Sequence, residues 1–270
     1  MTWSDIGVNF TDKRLFFEPV FKRALTADVS HIIITGTNID KSQQAVHLAQ
    51  QYPHHLSATI GVHPHHANEF SDETLNELQN LANSKSVVAI GECGLDFNRN
   101  FSTPDQQLFA FEQQLKLACE LGLPVFLHER DAFKAQVELL TKYRKTLKGG
   151  VVHCFTGDIE QMNRYLDLDL YIGITGWVCD LKRGQTLREA VKSLPLNRIL
   201  LETDAPYLRP KGLPNNHKVD NGNNEPAYLP FVAKEAANLM GTDLTTLKLA
   251  SQANTQALFK IPTMSAGLAE

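Results

Sequence analysis

Short apolar runs alternate along this chain with longer segments in which apolar residues recur every three or four positions. The short runs are bounded by Gly, Pro or polar residues, which is typical of strands buried on both faces of a parallel sheet. They predict eight strands, near residues 5–10, 31–36, 56–62, 87–92, 124–128, 149–153, 170–175 and 198–204. The longer segments between them predict amphipathic helices.

The clearest helix boundaries are those of the segment that follows the fourth strand. Thr103 is a good N-cap, Pro104 suits the first helical position, and Gln106 can complete a capping box. Gly122 suits the end of the same helix. Asp158 is a second predicted helix cap, after the sixth strand.

Alternation of eight strands with helices predicts an α/β fold, a single (β/α)₈ TIM barrel of the metal-dependent hydrolase type that takes up residues 1–270 as one domain. The length of 270 residues is typical of such a barrel. A doubly wound open sheet is the competing architecture, and it would gather functional residues near one switch point. Residues 209–224 are rich in Pro, Gly and Asn and are expected to form a lid or substrate loop.

Four residues of the kind that bind metals lie at the ends of four different predicted strands: Glu92, His128, His153 and Asp204. A barrel brings the carboxyl ends of its strands to one face. Two imidazoles and two carboxylates gathered there can hold a divalent metal with a water in an open position. Each residue alone is more often structural, but the four together favour metal-assisted hydrolysis. Asp204 could bind the metal, accept the proton of the water, or do both.

Other polar residues are expected at the same mouth. Glu202 lies two positions before Asp204 and faces the same way, so it either takes part in the site or pairs with a cation in the core. His63 ends the third strand, and Asn9 ends the first, where it can contact metal, water or substrate. His65 lies further into its loop and is expected at the surface.

Composition limits the kind of partner. The chain is 43% hydrophobic and 21% charged, which is typical of a folded globular domain, and its formal net charge is -4. Overall charge therefore does not attract nucleic acid, and any such binding has to be local and metal-assisted. No apolar run has membrane-spanning length and the first residues lack the features of a signal peptide, so we expect a cytoplasmic protein without a membrane partner.

Four motifs resemble the signatures of the TatD-type metal-dependent deoxyribonucleases: residues 61–65 (GVHPH), 91–96 (GECGLD), 153–157 (HCFTG) and 202–207 (ETDAPY). The resemblance extends over nearly the whole chain. It implies a magnesium-dependent phosphodiesterase that acts as a 3'–5' exonuclease on single-stranded DNA and RNA.

The resemblance also implies roles for individual residues. It makes Glu92, His128 and His153 metal ligands, and Asp204 a ligand or general base. It places His63 near the scissile phosphate and makes Glu202 a catalytic contributor.

The first strand departs from the pattern of many relatives, which carry a His-x-His pair where this chain has Gly7-Val8-Asn9. The number of metals per site is therefore open. Fewer imidazoles favour a hard cation, so we expect Mg²⁺, with Mn²⁺ as an alternative and Zn²⁺ less favoured.

Substrate contacts are expected from loops at the mouth. Arg99 is a candidate for phosphate, Trp177 and Tyr207 for stacking on bases, and Asn9 for a polar contact. A single Arg in such a loop is more often a solvated charge, and Trp177 could instead anchor its loop on the barrel rim.

Two other functions compete with the nuclease. The same site could hydrolyse a small or aminoacyl ester, an amide or a lactone, or the barrel could be a binding protein without catalysis. No heptad or self-complementary strand is visible in the sequence, so a monomer is expected.

Overall fold

Eight parallel strands, hydrogen-bonded in chain order, form the centre of the computed structural model, which describes residues 2–214 and 222–261. The strands are β1 (Trp3–Val8), β2 (Val29–Ile34), β3 (Leu56–Ile60), β4 (Val87–Asp96), β5 (Val125–Arg130), β6 (Gly150–Val152), β7 (Tyr171–Ile174) and β8 (Ile199–Leu201). A parallel bridge between Val8 and Ala205 joins the two ends of the sheet into a barrel. The barrel prediction is confirmed, and the open doubly wound sheet is wrong because the strand order has no switch point.

Nine helices surround the strands in the described part of the chain. They are α1 (Phe17–Thr26), α2 (Ile39–Gln51), α3 (Asp72–Leu81), α4 (Pro104–Leu121), α5 (Phe133–Tyr143), α6 (Ile159–Asp167), α7 (Gln185–Val191), α8 (Leu229–Met240) and α9 (Leu244–Phe259). Short 3₁₀ helices span Pro64–Glu69, Gly176–Cys179, Leu196–Arg198 and Pro226–Tyr228. None of the helices within residues 2–214 and 222–261 is long and apolar enough to cross a membrane.

The predicted ends of α4 are confirmed. Thr103 accepts a hydrogen bond from the N–H of Gln106, whose side chain accepts one from the N–H of Thr103. Gly122 ends the helix with a φ of 66°, a left-handed conformation that glycine adopts without strain. The predicted cap Asp158 is confirmed as well, since it accepts a hydrogen bond from Gln161 at the start of α6.

Strand ends differ from the predicted ones at the mouth of the barrel. β4 and β5 continue past Glu92 and His128, because Gly94 pairs with His128 and Asp96 pairs with Arg130. β8, in contrast, ends before Asp204. The chain after β8 still hydrogen-bonds to a neighbouring strand, and the N–H of Asp204 donates to the carbonyl oxygen of Gly7 at 2.9 Å.

The opposite end of the barrel is closed by α9. Leu258, Phe259 and Ile261 pack with Ile6 and Ile33 from the first two strands in one buried apolar cluster. This packing fills that end of the barrel with apolar side chains, while the polar candidate residues lie at the mouth, at the carboxyl ends of the strands.

The loop predicted at residues 209–224 falls partly outside the described residues, which stop at 214 and resume at 222. Its end is fixed to the barrel. Asn224 is fully buried, and its Nδ2 donates to the carbonyl oxygen of Thr203 at 2.7 Å. The next residue, Glu225, is also buried and forms an ion pair with Arg23 of α1, with Nη2 and Oε2 2.6 Å apart.

Candidate active site

One carboxylate oxygen stands at the centre of the mouth. Oε1 of Glu92, on β4, lies 2.9 Å from Nδ1 of His128 and 3.0 Å from Nε2 of His153. Nε2 of His63 lies 3.3 Å from the same oxygen. The barrel thus brings together side chains from β4 and β5 and from the turns that follow β3 and β6.

The close packing of these groups changes their acidity. Burial by itself would raise the pKa of Glu92, but His153 and His63 hold it well below its usual range. Burial opposes the charged form of His153, and Glu92 and Glu202 nevertheless raise its pKa well above the usual range. His63 behaves in the opposite way, because burial lowers its pKa to about 4. Glu92 is therefore an anion among imidazoles.

Three of these groups could hold a divalent metal, and the predicted ligands His153 and Asp204 are not among them. Within the described residues, His63, Glu92 and His128 form one group whose ligand atoms all lie within 4.8 Å of one another. Nε2 of His128 is buried, has no hydrogen-bond partner among the described residues and lies 3.6 Å from Oδ2 of Asp96. A buried ring nitrogen without a partner is costly, and imidazoles with carboxylates are ligands that bind divalent metal ions.

Asp204 lies on the seam between β8 and β1, in a left-handed conformation with a φ of 55°. The Nδ2 of Asn9 donates to its Oδ1 at 3.0 Å and to the carbonyl oxygen of Ala205 at 3.2 Å. Burial raises the pKa of Asp204 to about 7, and the nearby Glu92 and Glu202 act in the same direction. Asn9, predicted to contact substrate, holds Asp204 in place.

Glu202 is fully buried and faces the site; it has no separate cation in the core among its described partners. Its Oε2 lies 3.1 Å from Nδ1 of His153, and its Oε1 accepts the N–H of Cys154 at 2.5 Å. Two glycines leave room for it. A Cβ added at Gly7 would lie 2.5 Å from Oε2, and one added at Gly173 would lie 2.6 Å from Oε1.

The candidate substrate residues lie around the rim. Arg99 is exposed, and its backbone N–H donates to Oδ1 of Asp96 at 2.8 Å. Trp177 is half-buried, and the guanidinium of Arg183 lies 4.6 Å from its ring centroid.

Tyr207 is the more accessible of the two candidate aromatic rings. It is 47% exposed, and Arg14 lies 4.5 Å from its ring centroid. Arginine therefore lies over both Trp177 and Tyr207, so a stacked base on the covered side would have to displace it.

Two residues of the mouth were not predicted as site residues. Asp96, almost fully buried, accepts a hydrogen bond from Nε2 of His65 at 2.8 Å and faces His128. His65 is half-buried, and its predicted surface position is wrong because the 3₁₀ helix Pro64–Glu69 directs it to Asp96. The sequence contained a signal for Asp96, because side chains alternate between the two faces of a strand. Glu92 and Asp96 are four positions apart and therefore share a face.

A parallel barrel with buried carboxylates and imidazoles at the carboxyl ends of its strands defines a metal-dependent hydrolase. A family model described as "TatD related DNase" matches residues 4–260. The chain belongs to this family. The predicted class, a hydrolase of nuclease type, is confirmed by this membership.

Relatives and solved structures agree with that membership. The "3'-5' ssDNA/RNA exonuclease TatD" of Erwinia billingiae is 49% identical over 260 residues, which are 96% of this chain and 99% of that protein. A TatD homologue from Escherichia coli K12 has a TM-score of 0.86 at 30% identity, over 96% of this chain and 98% of that chain. A TatD family hydrolase from Entamoeba histolytica has the same TM-score at 28% identity, over 97% and 99%.

Proposed function

We propose that this protein is a metal-dependent 3'–5' exonuclease that hydrolyses phosphodiester bonds of single-stranded DNA and RNA. The observation that carries the proposal is the convergence of three imidazoles on Oε1 of Glu92 at the barrel mouth. The polarity and the substrate come from the relatives, such as the Erwinia billingiae protein named for this activity.

Glu92, His128 and His153 are the proposed metal ligands, with Asp204 as a further ligand or as the general base. A divalent cation held by these residues would lower the pKa of a water and so supply a nucleophile near neutral pH. Mg²⁺ is the favoured cation, Mn²⁺ a usable one and Zn²⁺ a poorer one, because the first strand offers no imidazole at Gly7-Val8-Asn9.

The surrounding side chains orient the reacting groups. Glu202 holds the imidazole of His153, and Asn9 holds the carboxylate of Asp204. With its pKa near 7, that carboxylate can accept a proton at neutral pH. His63 is neutral there, since its pKa is about 4, and its Nε2 lies 3.3 Å from Oε1 of Glu92, which is the proposed side of the scissile phosphate.

The strand is held by local contacts, because the net charge is -4. Arg99 is the proposed phosphate contact, with Trp177 and Tyr207 as stacking rings. The proposal further includes a monomer, a single domain over residues 1–270 and a cytoplasmic location, which gel filtration, limited proteolysis and cell fractionation can check.

Oligonucleotides labelled at the 3' or the 5' end test the proposal. Metal-stripped protein is incubated with each, in Mg²⁺, Mn²⁺ or Zn²⁺. The variant Glu92→Gln is compared with Glu120→Gln, which alters an exposed Glu near the end of α4. We expect stepwise release of mononucleotides from the 3' end in Mg²⁺, lost in Glu92→Gln and kept in the control.

Full activity in Glu92→Gln would overturn the proposed centre. Hydrolysis of carboxyl esters without phosphodiesters would overturn the substrate and support the small-ester hydrolase instead.

A further inference from the structure

Asp5 is a fully buried carboxylate on β1 that the proposed mechanism leaves unused. Its Oδ1 accepts the N–H of Thr203 at 2.9 Å and the N–H of Gly7 at 3.3 Å. Its Oδ2 lies 2.5 Å from Oγ1 of the same Thr203. A carboxylate is rarely buried this fully, and here its hydrogen bonds connect the first strand to the residue that precedes Asp204.

The hydrogen bonds of Asp5 fix the backbone on both sides of Asp204. Oγ1 of Thr203, held by Asp5, accepts the N–H of Ala205 at 3.3 Å. The peptide of Gly7, whose N–H Asp5 accepts, offers its carbonyl oxygen to the N–H of Asp204 at 2.9 Å. The backbone N–H groups of residues 203 and 204 thus hydrogen-bond directly to β1. The N–H of residue 205 is linked to β1 through Oγ1 of Thr203.

The backbone at Asp204 needs this support. Its φ of 55° lies in the left-handed region, which costs energy for a residue other than glycine and persists only where the surroundings enforce it. Without the contacts of Asp5, the chain after β8 could relax and take the carboxylate of Asp204 away from His153 and Glu92.

We propose that Asp5 is a positioning residue for the reaction, which acts through Thr203 to hold the carboxylate of Asp204 in its working place. The inference rests on the proposed role of Asp204 and adds a residue to it. It gives Asp5 no contact with metal or substrate.

Hydrogen bonding, and not charge, is the property of Asp5 that matters here. Burial raises its pKa to about 8, so the group carries a proton for much of the time at neutral pH. An asparagine keeps an oxygen for the two N–H groups and offers an N–H to Oγ1 of Thr203. An alanine leaves the buried donors without an acceptor.

The test compares two pairs of variants, Asp5→Ala with Asp5→Asn and Thr203→Val with Thr203→Ser. Each is measured in Mg²⁺ on a 3'-labelled single-stranded oligonucleotide. We expect Asp5→Ala and Thr203→Val to lower kcat by about 10- to 100-fold, as small displacements of a catalytic group do. KM should stay within about threefold, because ground-state binding is untouched. Asp5→Asn and Thr203→Ser should keep most of the activity.

A matched control separates positioning from stability. Ser57→Ala removes a buried hydrogen bond between two other strands, from Oγ of Ser57 to Nε2 of His31 at 3.1 Å. It should lower Tm and leave kcat unchanged. Equal kcat values for Asp5→Ala and Ser57→Ala would overturn the inference. An equal loss of kcat in Asp5→Asn and Asp5→Ala would overturn it as well. If Asp5→Ala does not fold, Thr203→Val decides by the same criterion.

Amide hydrogen exchange gives a readout that needs no nuclease activity. In the metal-free protein, Asp5→Ala or Thr203→Val should speed exchange at residues 203–205, while Ser57→Ala leaves it unchanged. Unchanged exchange in both variants would overturn the inference. A wild-type protein that cleaves nothing would refute the proposed function alone, and the exchange result would still decide the role of Asp5.

Discussion

Glu202 illustrates how a residue outside the proposed set of metal ligands can control a residue within that set. Its carboxylate contacts Nδ1 of His153, and the other ring nitrogen of His153 faces Glu92. A carboxylate beside Nδ1 accepts a hydrogen bond from the N–H there, which leaves the lone pair of Nε2 for a metal. The tautomer of the proposed ligand is therefore determined by a residue from the chain that follows β8.

Replacing Glu202 by Gln should reverse that tautomer. The amide can still accept the N–H of Cys154, but it then presents its NH₂ to Nδ1 of His153, so the proton moves to Nε2. We expect the affinity for Mn²⁺ to fall by about 10- to 100-fold, as substitutions behind metal-binding histidines do. Isothermal titration calorimetry measures this, with Glu120→Gln as the control. Equal affinities in the two variants would refute the role of Glu202.

Residue types and strand ends were enough to predict that Glu92, His128 and His153 would meet, because a barrel brings the carboxyl ends of its strands to one face. They were not enough to predict the partners of Asp5 and Asp96. Both are carboxylates inside β-strands, and nothing in their neighbours along the chain indicates which backbone donors or imidazoles they face. Those partners, Thr203 and His65, come from distant parts of the chain and depend on register and loop geometry.

At the scale of secondary structure elements, α1 and the segment that leads into α8 are joined by an ion pair. Arg23 is 40% exposed, but its partner Glu225 is only 3% exposed. The guanidinium contacts both carboxylate oxygens. Loss of the arginine would leave a buried carboxylate without its donors, and water can reach it only in part.

Arg23→Met should lower the free energy of unfolding by about 1–3 kcal/mol, the cost of an unsatisfied buried group. The matched control is Arg14→Met. Arg14 is 42% exposed, but the carboxylate of its partner Asp12 is 20% exposed. That variant should change the free energy by about 0–1 kcal/mol, as exposed pairs do. Urea unfolding measures both, and equal effects would contradict the role of burial.

Hydrophobic patterns predicted the elements themselves, since each strand and helix carries its own periodicity. They did not predict the extension of β4 to Asp96, which depends on pairing with β5. The register of that pair also shifts between Ile90 and Cys93. The 3₁₀ helix Pro64–Glu69 was missed for a related reason, because its polar sequence has no periodicity and its place is set by contacts with β4 and α4.

At the scale of the whole molecule, the barrel separates stability from chemistry. The end closed by α9 is apolar and the mouth carries the polar groups. Packing at the α9 end should therefore determine the stability of the fold. The geometry at the mouth should determine the rate of turnover.

Phe259→Ala tests this separation. Phe259 is 3% exposed in the cluster under the barrel. We expect a loss of about 3–5 kcal/mol in the free energy of unfolding, the usual cost of such a cavity. kcat/KM should not change at temperatures where the variant is folded. The control is Phe109→Ala, at a position on α4 that is 51% exposed. It should have a small effect on both the free energy of unfolding and kcat/KM. A lower kcat/KM in folded Phe259→Ala would show that the two ends are coupled.

The seam between β1 and β8 has a consequence for the time at which the protein becomes active during its own synthesis. Asn9 and Asp204, which meet there, are 195 residues apart in the chain. A ribosome that has made the segment up to His153 has produced the imidazoles and Glu92, but neither β8 nor Asp204, which follows it. A nascent chain therefore lacks its complete candidate centre until β8 and Asp204 have emerged from the ribosome, and the proposed cleavage of RNA starts only after that point.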